Sequence, residues 1–224
     1  SVSKSILIFF SFFLSYGFGQ ALTDCFQTDT DSISSPYRPL TQGRISKSQV
    51  LVVSITGLIL CIIIFAIYNP INLLLGALSG FGLATYTYFK RKFWSGPFYN
   101  AWIVAVLFLM AYLCGSDILT FTGNHKFIYG LSAVFWGYAN FVLVGYFKDV
   151  EADRATGYNT FLVVFGRRLS SIASNIFGLI TILTTLSVFT YSNSIDQPIE
   201  EKPYETIIFA IGILAMFLCQ VLVH

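Results

Sequence analysis

Seven uninterrupted apolar stretches of roughly twenty residues recur along this chain, at about 5–22, 50–68, 71–89, 99–116, 127–147, 170–191 and 206–223. A helix rises 1.5 Å per residue, so each is long enough to cross ~30 Å of hydrocarbon. This pattern predicts an all-α, polytopic transmembrane helix bundle of seven spans, forming a single domain over 1–224. Only 11% of the residues are charged, whereas a soluble domain carries about 25%. The first stretch follows Lys4 but is long for a secretory h-region and lacks a small-x-small cleavage site, so it reads as a span.

Charge distribution gives the orientation. The connections at 23–49, 90–98 and 148–169 hold ten Lys and Arg, and the alternate ones at 69–70, 117–126 and 192–205 hold two, Lys126 and Lys202. That strict alternation is a positive-inside signal and places the first set in the cytoplasm. The cysteines Cys25, Cys61, Cys114 and Cys219 show no CxxC spacing, and the histidines are His125 and His224. Zinc fingers, disulfide frameworks and His-based triads are therefore not expected, and neither is a nucleic-acid partner. Gly76 and Gly80 are spaced for close helix packing, and Asn69-Pro70 marks a turn.

The cytoplasmic connections carry the chemistry. Lys148, Asp149, Glu151, Asp153 and Arg154 put five charges into seven residues directly after a span. If that span continues helically by one turn, Asp149 and Asp153 point the same way and Glu151 roughly opposite. In the first connection Asp24, Gln27 and Asp31, spaced i, i+3, i+7, share a helical face with Thr23, and Asp29 lies off it. Oxygen ligands without Cys or His suit a hard cation, and Mg2+ commonly joins one or two carboxylates to substrate phosphates. The competing reading is interfacial charge balanced by Lys148 and Arg154. In ATYTYFKRKFW, Tyr86 and Lys90 are four apart, followed by Arg91 and Lys92. This run is either a membrane anchor or a source of charge-assisted donors for a metal-held diphosphate. A transporter would need ionisable residues near mid-bilayer, which this sequence lacks.

In order and spacing these elements resemble the UbiA superfamily of membrane-embedded prenyltransferases. Asp149-Val-Glu-Ala-Asp153 matches the family's second DxxxD, and RATGYNTFLVVFG is similar to its GDRxxGxxTLPVxxG. Pro36-Tyr37-Arg38-Pro39 matches its P-x-R-P turn and Tyr86 to Lys90 its YxxxK. The family's NxxxDxxxD reads here as Thr23, Gln27 and Asp31, with Asp24 near enough to restore the missing carboxylate. The stretch KDVEADRATG is more similar to members that prenylate lipid or pigment acceptors. The family has nine helices, which implies that its first and last lie outside this sequence.

The resemblance implies a Mg2+ cofactor, an isoprenyl diphosphate donor, a hydrophobic or aromatic acceptor and contact with membrane lipids. It implies metal ligation by Asp24, Gln27, Asp31, Asp149 and Asp153, and diphosphate binding by Arg38, Tyr86, Lys90 and Arg154. Catalysis would rest on Asp31, Asp149, Asp153 and Lys90, and Thr23, Asn100 and Asn140 would line the substrate. Phe141, Tyr146, Tyr86 and Tyr88 are candidates to face an allylic cation. Within the family, terpene cyclisation or a non-catalytic role with a degenerate first motif are the alternatives to prenyl transfer.

Overall fold

The computed structural model describes residues 2–115, 124–195 and 203–222. Lys202 and His224 lie outside the described residues, as does most of the 117–126 connection. The elements are α1 (Val2–Asp24), α2 (Thr28–Ser34), α3 (Lys47–Tyr68), α4 (Ile71–Lys92), α5 (Gly96–Gly115), α6 (His125–Ala155), α7 (Phe161–Ile195) and α8 (Pro203–Leu222). The long helices coincide with the apolar runs, and α2 is an added short helix of about two turns.

Among the described residues, five helices (α1, α3, α5, α6 and α7) are long and apolar enough to cross a membrane, against the seven spans expected. Two helices fall outside this set. The inward face of α4 is polar, with Asn72, Ser79, Tyr86, Thr87 and Lys90 all buried, which lowers its average hydropathy. In α8 the described side chains, Thr206–Val221, form an apolar helix just short of a full span. The molecule is an integral, multi-pass membrane protein. Its outward apolar surface, including Phe9, Phe13, Val52, Ile59, Leu74 and Phe81, is solvated by lipid. Each helix satisfies its own backbone polar groups, as hydrocarbon requires.

Local chemistry sets the boundaries. A capping box opens α3: Gln49 N–H donates to Ser46 Oγ at 3.2 Å, and Ser46 N–H donates to Gln49 Oε1 at 2.9 Å. Asn69 Oδ1 accepts from Ile71 N–H at 3.1 Å and shapes the α3–α4 turn. Gly76 allows those helices to approach, because a Cβ there would lie 2.6 Å from Ile62 Cγ1. Gly80 behaves differently from the packing role expected of it. A Cβ would meet nothing within 4 Å, and the residue borders an internal cavity instead.

Two apolar clusters hold the bundle. Ala139, Leu143 and Tyr146 of α6 pack with Ala101 of α5 and Leu162 and Phe177 of α7. Cys61 and Phe65 of α3 pack with Met110 and Cys114 of α5, with Phe12 of α1 against them. The cysteines Cys25, Cys61 and Cys114 are buried free thiols, as small packed groups should be.

The 148–169 connection is shorter than expected because α6 has 31 residues, about 46 Å, and overruns the ~30 Å core by several turns. Lys148 to Arg154 therefore ride on helix. The chain then turns through Gly157 (φ 75°), and Gly166 (φ 74°) separates the first turn of α7 from its long remainder. Both angles fall where a side chain would be strained.

Candidate active site

The Thr23–Asp31 segment does not form the single helical face its spacing suggests. α1 stops at Asp24, and a turn follows in which Phe26 N–H donates to Thr23 O at 3.0 Å and Gln27 N–H to Asp24 O at 3.2 Å. α2 restarts at Thr28. The reversal swings Gln27 and Asp31 back over the end of α1, so Thr23, Asp24, Gln27 and Asp31 still converge on one cavity of about 350 Å³. Tyr86 and Lys90 of α4, Asn100 of α5, Tyr138, Phe141, Tyr146 and Asp149 of α6, and Arg38 complete its polar end. The wall continues through Leu58, Ile62, Phe65, Leu83, Leu107 and Met110. Lys90 and Gly76 both line it, and they are about fourteen residues, or ~21 Å, apart along α4. The cavity is thus a charged mouth above an apolar shaft.

Three arrangements organise the mouth. Arg38, turned inward by the Pro36–Pro39 corner, places Nη1 2.7 Å from Asp24 Oδ1 and 2.8 Å from Asp31 Oδ2. Burial raises the Asp31 carboxyl above the ordinary aspartate range, and the Arg38 guanidinium opposes part of that rise. Lys90, only 4% exposed, donates to Gln27 Oε1 at 3.2 Å and stands 3.3 Å from Asp153 Oδ1, in ion-pair range but not aligned as a hydrogen bond. It therefore ties the first acidic segment to the second. The third is Asp149, whose Oδ1 is buried with no hydrogen-bond partner and whose charge is felt by Asp31 across the mouth.

Aromatic groups floor this end. The Tyr86 and Tyr146 hydroxyls are 3.2 Å apart, and Lys90 Nζ lies 5.1 Å from the centre of the Tyr146 ring. A Cβ on Gly96 would collide with the Tyr146 hydroxyl, so the absence of a side chain there sets where that phenol sits.

Of the residues singled out from sequence, Thr23, Asp24, Gln27, Asp31, Arg38, Tyr86, Lys90, Asn100 and Asp149 come together. Asp153, Arg154 and Asn140 are not on the cavity wall. Asn140 precedes Asp149 by nine residues, about two and a half turns, so it faces the opposite way. Its amide meets α7 and α8, accepting from Ser174 Oγ at 2.7 Å and donating to Gln220 Oε1 at 3.0 Å. Arg154 is turned outward, 3.3 Å from exposed Glu151. Asp153 shares the stripe of Asp149 but lies a turn further on, fully buried behind Lys90. Tyr88 is exposed and also absent from the wall.

Two features escaped the sequence reading. Tyr138 lines the cavity and accepts from Gln20 Nε2 at 3.3 Å. Asp29, set aside as off the acidic face, accepts from Arg91 Nη2 at 2.7 Å and from the Tyr158 hydroxyl at 3.2 Å. That cluster clamps α2, α4 and the 156–160 turn together. Tyr158 is buried there, and its phenol is pushed up to about 12 by desolvation and by the Asp29 charge. Nothing in the spacing signalled it, since Asp29 and Arg91 are far apart in sequence and meet only through tertiary packing.

Among the described residues, no three of His, Cys, Asp and Glu stand close enough to form a metal group. Mg2+ does not demand one, since it is commonly held by one or two carboxylates, with waters and phosphates as the other ligands.

The model of the UbiA prenyltransferase family matches residues 1–199. The digeranylgeranylglyceryl phosphate synthase of Thermococcus sibiricus is 30% identical over 187 residues, covering 83% of this chain and 64% of that protein. The synthase of the same name from Methanothermobacter thermautotrophicus is 27% identical over 190 residues, covering 79% and 61%. The chain thus spans somewhat less than two thirds of these relatives. Among solved structures, a UbiA homolog from Aeropyrum pernix K1 superposes with a TM-score of 0.76 at 18% identity, over 99% of this chain and 80% of that one. A UbiA homolog from Archaeoglobus fulgidus, bound to DMAPP and Mg2+, gives 0.69 at 20% identity, over 99% and 76%. These likenesses concern the fold.

Proposed function

The chain belongs to the UbiA prenyltransferase family, and from that premise we propose that it transfers a polyprenyl group, with Mg2+, from an isoprenyl diphosphate to a lipid acceptor at the cytoplasmic side of the membrane. The observation that carries this reading is the form of the cavity, in which acids and cations ring one end and apolar side chains line the rest. Such a cavity matches a ligand with a polyanionic head and a long hydrocarbon tail, whose burial is worth ~0.8 kcal/mol per CH2.

The residues present fit Mg2+. The donors are all oxygen, Asp149 Oδ1 is buried without a partner, and a guanidinium already occupies the place of a cation between Asp24 and Asp31. One or two of Asp24, Asp31 and Asp149 would hold the metal, with waters and the diphosphate as its other ligands, and Gln27 would be available once its carbonyl leaves Lys90. Bound there, Mg2+ supplies charge neutralisation to the diphosphate leaving group. Lys90 and Arg38 donate to the departing oxygens, where fixed donors in a dry site are most effective. The C1–O bond of the donor breaks, and the allylic cation meets the faces of Tyr86, Tyr146 and Phe141. The acceptor nucleophile attacks C1, and its proton passes to the released diphosphate. Asp153 acts as a positioning residue by holding Lys90. Arg154 and Asn140 have no contact with the reacting groups in this scheme.

The names of the relatives speak of a glyceryl phosphate product, and a glycerol lipid phosphate is the acceptor we favour. The cytoplasmic placement follows from the ten-to-two distribution of Lys and Arg.

The test is diphosphate release from geranylgeranyl diphosphate by the purified full-length protein, with and without Mg2+, beside Asp149→Ala and with lipid products extracted. Release that needs both Mg2+ and Asp149, together with a prenylated acceptor, supports transfer. A cyclic hydrocarbon formed without acceptor would move the assignment to cyclisation. Neither release nor donor binding would overturn catalysis altogether.

A further inference from the structure

Just outside the cavity, Lys148 is held in an unusual way. Its ammonium donates to Ser35 Oγ at 3.0 Å, and Ser35 is only 1% exposed, at the end of α2. The exposed Tyr37 phenol stands beside them, close enough that the Ser35 hydroxyl and the Lys148 ammonium push its pKa below the ordinary tyrosine range. Among the described residues Lys148 makes no ion pair, although the other cations of the mouth do: Arg38 meets Asp24 and Asp31, and Lys90 meets Asp153. Exposed lysines anchoring a span are normally free to wander in the headgroup layer. This one is held by a buried hydroxyl beside an exposed phenol, leaving ammonium donors unused.

The placement matters as much as the pairing. Lys148 neighbours Asp149 in sequence, and Ser35 lies one turn beyond Asp31, so the group sits at the α2–α6 rim beside the two carboxylates that face each other over the mouth. An oxyanion at Lys148 would lie beside the mouth, next to Asp149, yet outside the cavity lining that takes a prenyl tail.

We propose that Lys148, Ser35 and Tyr37 form a second anion site, distinct from the diphosphate site, which binds the phosphate of a phosphorylated lipid acceptor and so brings its free hydroxyl to the cavity mouth. The site rests on the transferase reading of the cavity. It makes acceptor selection a matter of charge at the rim, with Lys148 supplying the ionic hydrogen bond and Ser35 and Tyr37 fixing its direction.

The experiment is equilibrium binding to the purified full-length protein in detergent, read by native mass spectrometry, so it does not depend on turnover. The two probes are geranylgeranylglyceryl phosphate and its dephosphorylated alcohol. The wild type is expected to bind the phosphate at least tenfold more tightly, the worth of one charge-assisted hydrogen bond. Lys148→Met should remove that preference without changing affinity for the alcohol. Lys148→Arg should retain most of it, and Ser35→Ala should weaken it partway. Equal binding of the two probes by the wild type, or a preference that survives Lys148→Met, overturns the site. So does displacement of the phosphate probe by phosphatidylglycerol at matching concentration, which would make Lys148 an anchor for bulk lipid headgroups. Diphosphate release measured in parallel reports separately on the transferase reading. A protein that shows the binding preference but no release would retain the anion site and lose the reaction.

Discussion

Arg38 bridges two carboxylates that Mg2+ would need, so its removal should affect metal and donor in opposite directions. In the donor-free protein the guanidinium and the metal compete for Asp24 and Asp31. A hydrogen bond to a charged group contributes about 1.5–3 kcal/mol when well shielded. The Arg38 and Asp24 side chains are 36% and 34% exposed, and that contact must be discounted for solvent to about 1 kcal/mol or less. Asp31 is 11% exposed, and its contact should keep about 2 kcal/mol. Evicting Arg38 therefore opposes metal entry by roughly 2–3 kcal/mol, or about 30- to 150-fold in affinity. Arg38→Met should raise donor-free affinity for Mn2+, used as a paramagnetic substitute for Mg2+, by at least tenfold in an electron paramagnetic resonance titration. The same variant should weaken a non-reactive thiolodiphosphate analogue of the donor by about tenfold or more, because the diphosphate loses a donor group. In the wild type, diphosphate draws Arg38 away from the acids, so each ligand should strengthen the other's binding. The reasoning fails if Arg38→Met weakens Mn2+ in the absence of donor. Arg38 would then be holding the acids in place for the metal, not competing with it.

The remaining expectations concern the same mouth. Because burial raises the Asp31 carboxyl, Mn2+ affinity should fall on acidification at a pH above the ordinary aspartate range, and Arg38→Met should move that limb higher still. The sign for folding is the reverse: a raised carboxyl favours the folded state most below its unfolded value and loses that contribution as pH rises through the folded one. Urea unfolding of Asp31→Asn at pH 4 and pH 7 checks it, and the variant should gain relative to wild type at the higher pH. Lys90 and Asp153 are 5% and 0% exposed at their side chains. Removing either alone should destabilise by about 3–5 kcal/mol, and Lys90→Met with Asp153→Leu together by clearly less than the sum. Gly96→Ala should lower thermal stability by about 1–3 kcal/mol through the clash with the Tyr146 hydroxyl, and Tyr146→Phe should restore part of the loss.

The apolar runs made the bundle readable, because bilayer thickness leaves few choices for a twenty-residue hydrocarbon-soluble segment. The α4 helix was readable from its run even though its inward face is polar. Residues singled out by spacing do meet at the mouth from α1, α2, α4 and α6, but for α1 and α2 the reason given was incorrect. One continuous face was expected, and a turn at Cys25–Gln27 does the work instead. The i, i+3, i+7 pattern was compatible with both because a tight reversal also returns residues three and seven apart to one side. Partner choice was not readable at all. Nothing in the spacing says that Gln27 faces Lys90, that Asp153 is buried behind it, or that Asp29 joins Arg91 and Tyr158. Those pairings depend on how α2 lies across the ends of α4 and α6, which is a matter of tertiary packing.

The altered first acidic segment is where these observations carry furthest. Gln27 stands where the family pattern has Asp, and its carbonyl is engaged by Lys90 at 3.2 Å. An aspartate there would give Lys90 two carboxylates, its own and Asp153, and would put a fourth negative group at a mouth that already holds Asp24, Asp31 and Asp149. Asp24 instead brings a carboxylate into the same cavity from the last turn of α1, close enough to share Arg38 with Asp31. The charge has thus moved along the chain by three positions without leaving the site, because the Cys25–Gln27 turn folds those positions together. If that is correct, Asp24→Asn should lower donor-free Mn2+ affinity by about tenfold, the loss of one ionic contact. Asp24→Asn with Gln27→Asp should recover most of it, because the carboxylate then returns to the opposite side of the same cavity. Gln27→Asp alone should strengthen metal binding by less than the double variant regains, since Lys90 would hold part of the added charge. Unchanged Mn2+ affinity in Asp24→Asn would show that Asp24 serves Arg38 alone, and that the first segment binds metal through Asp31 without a second carboxylate.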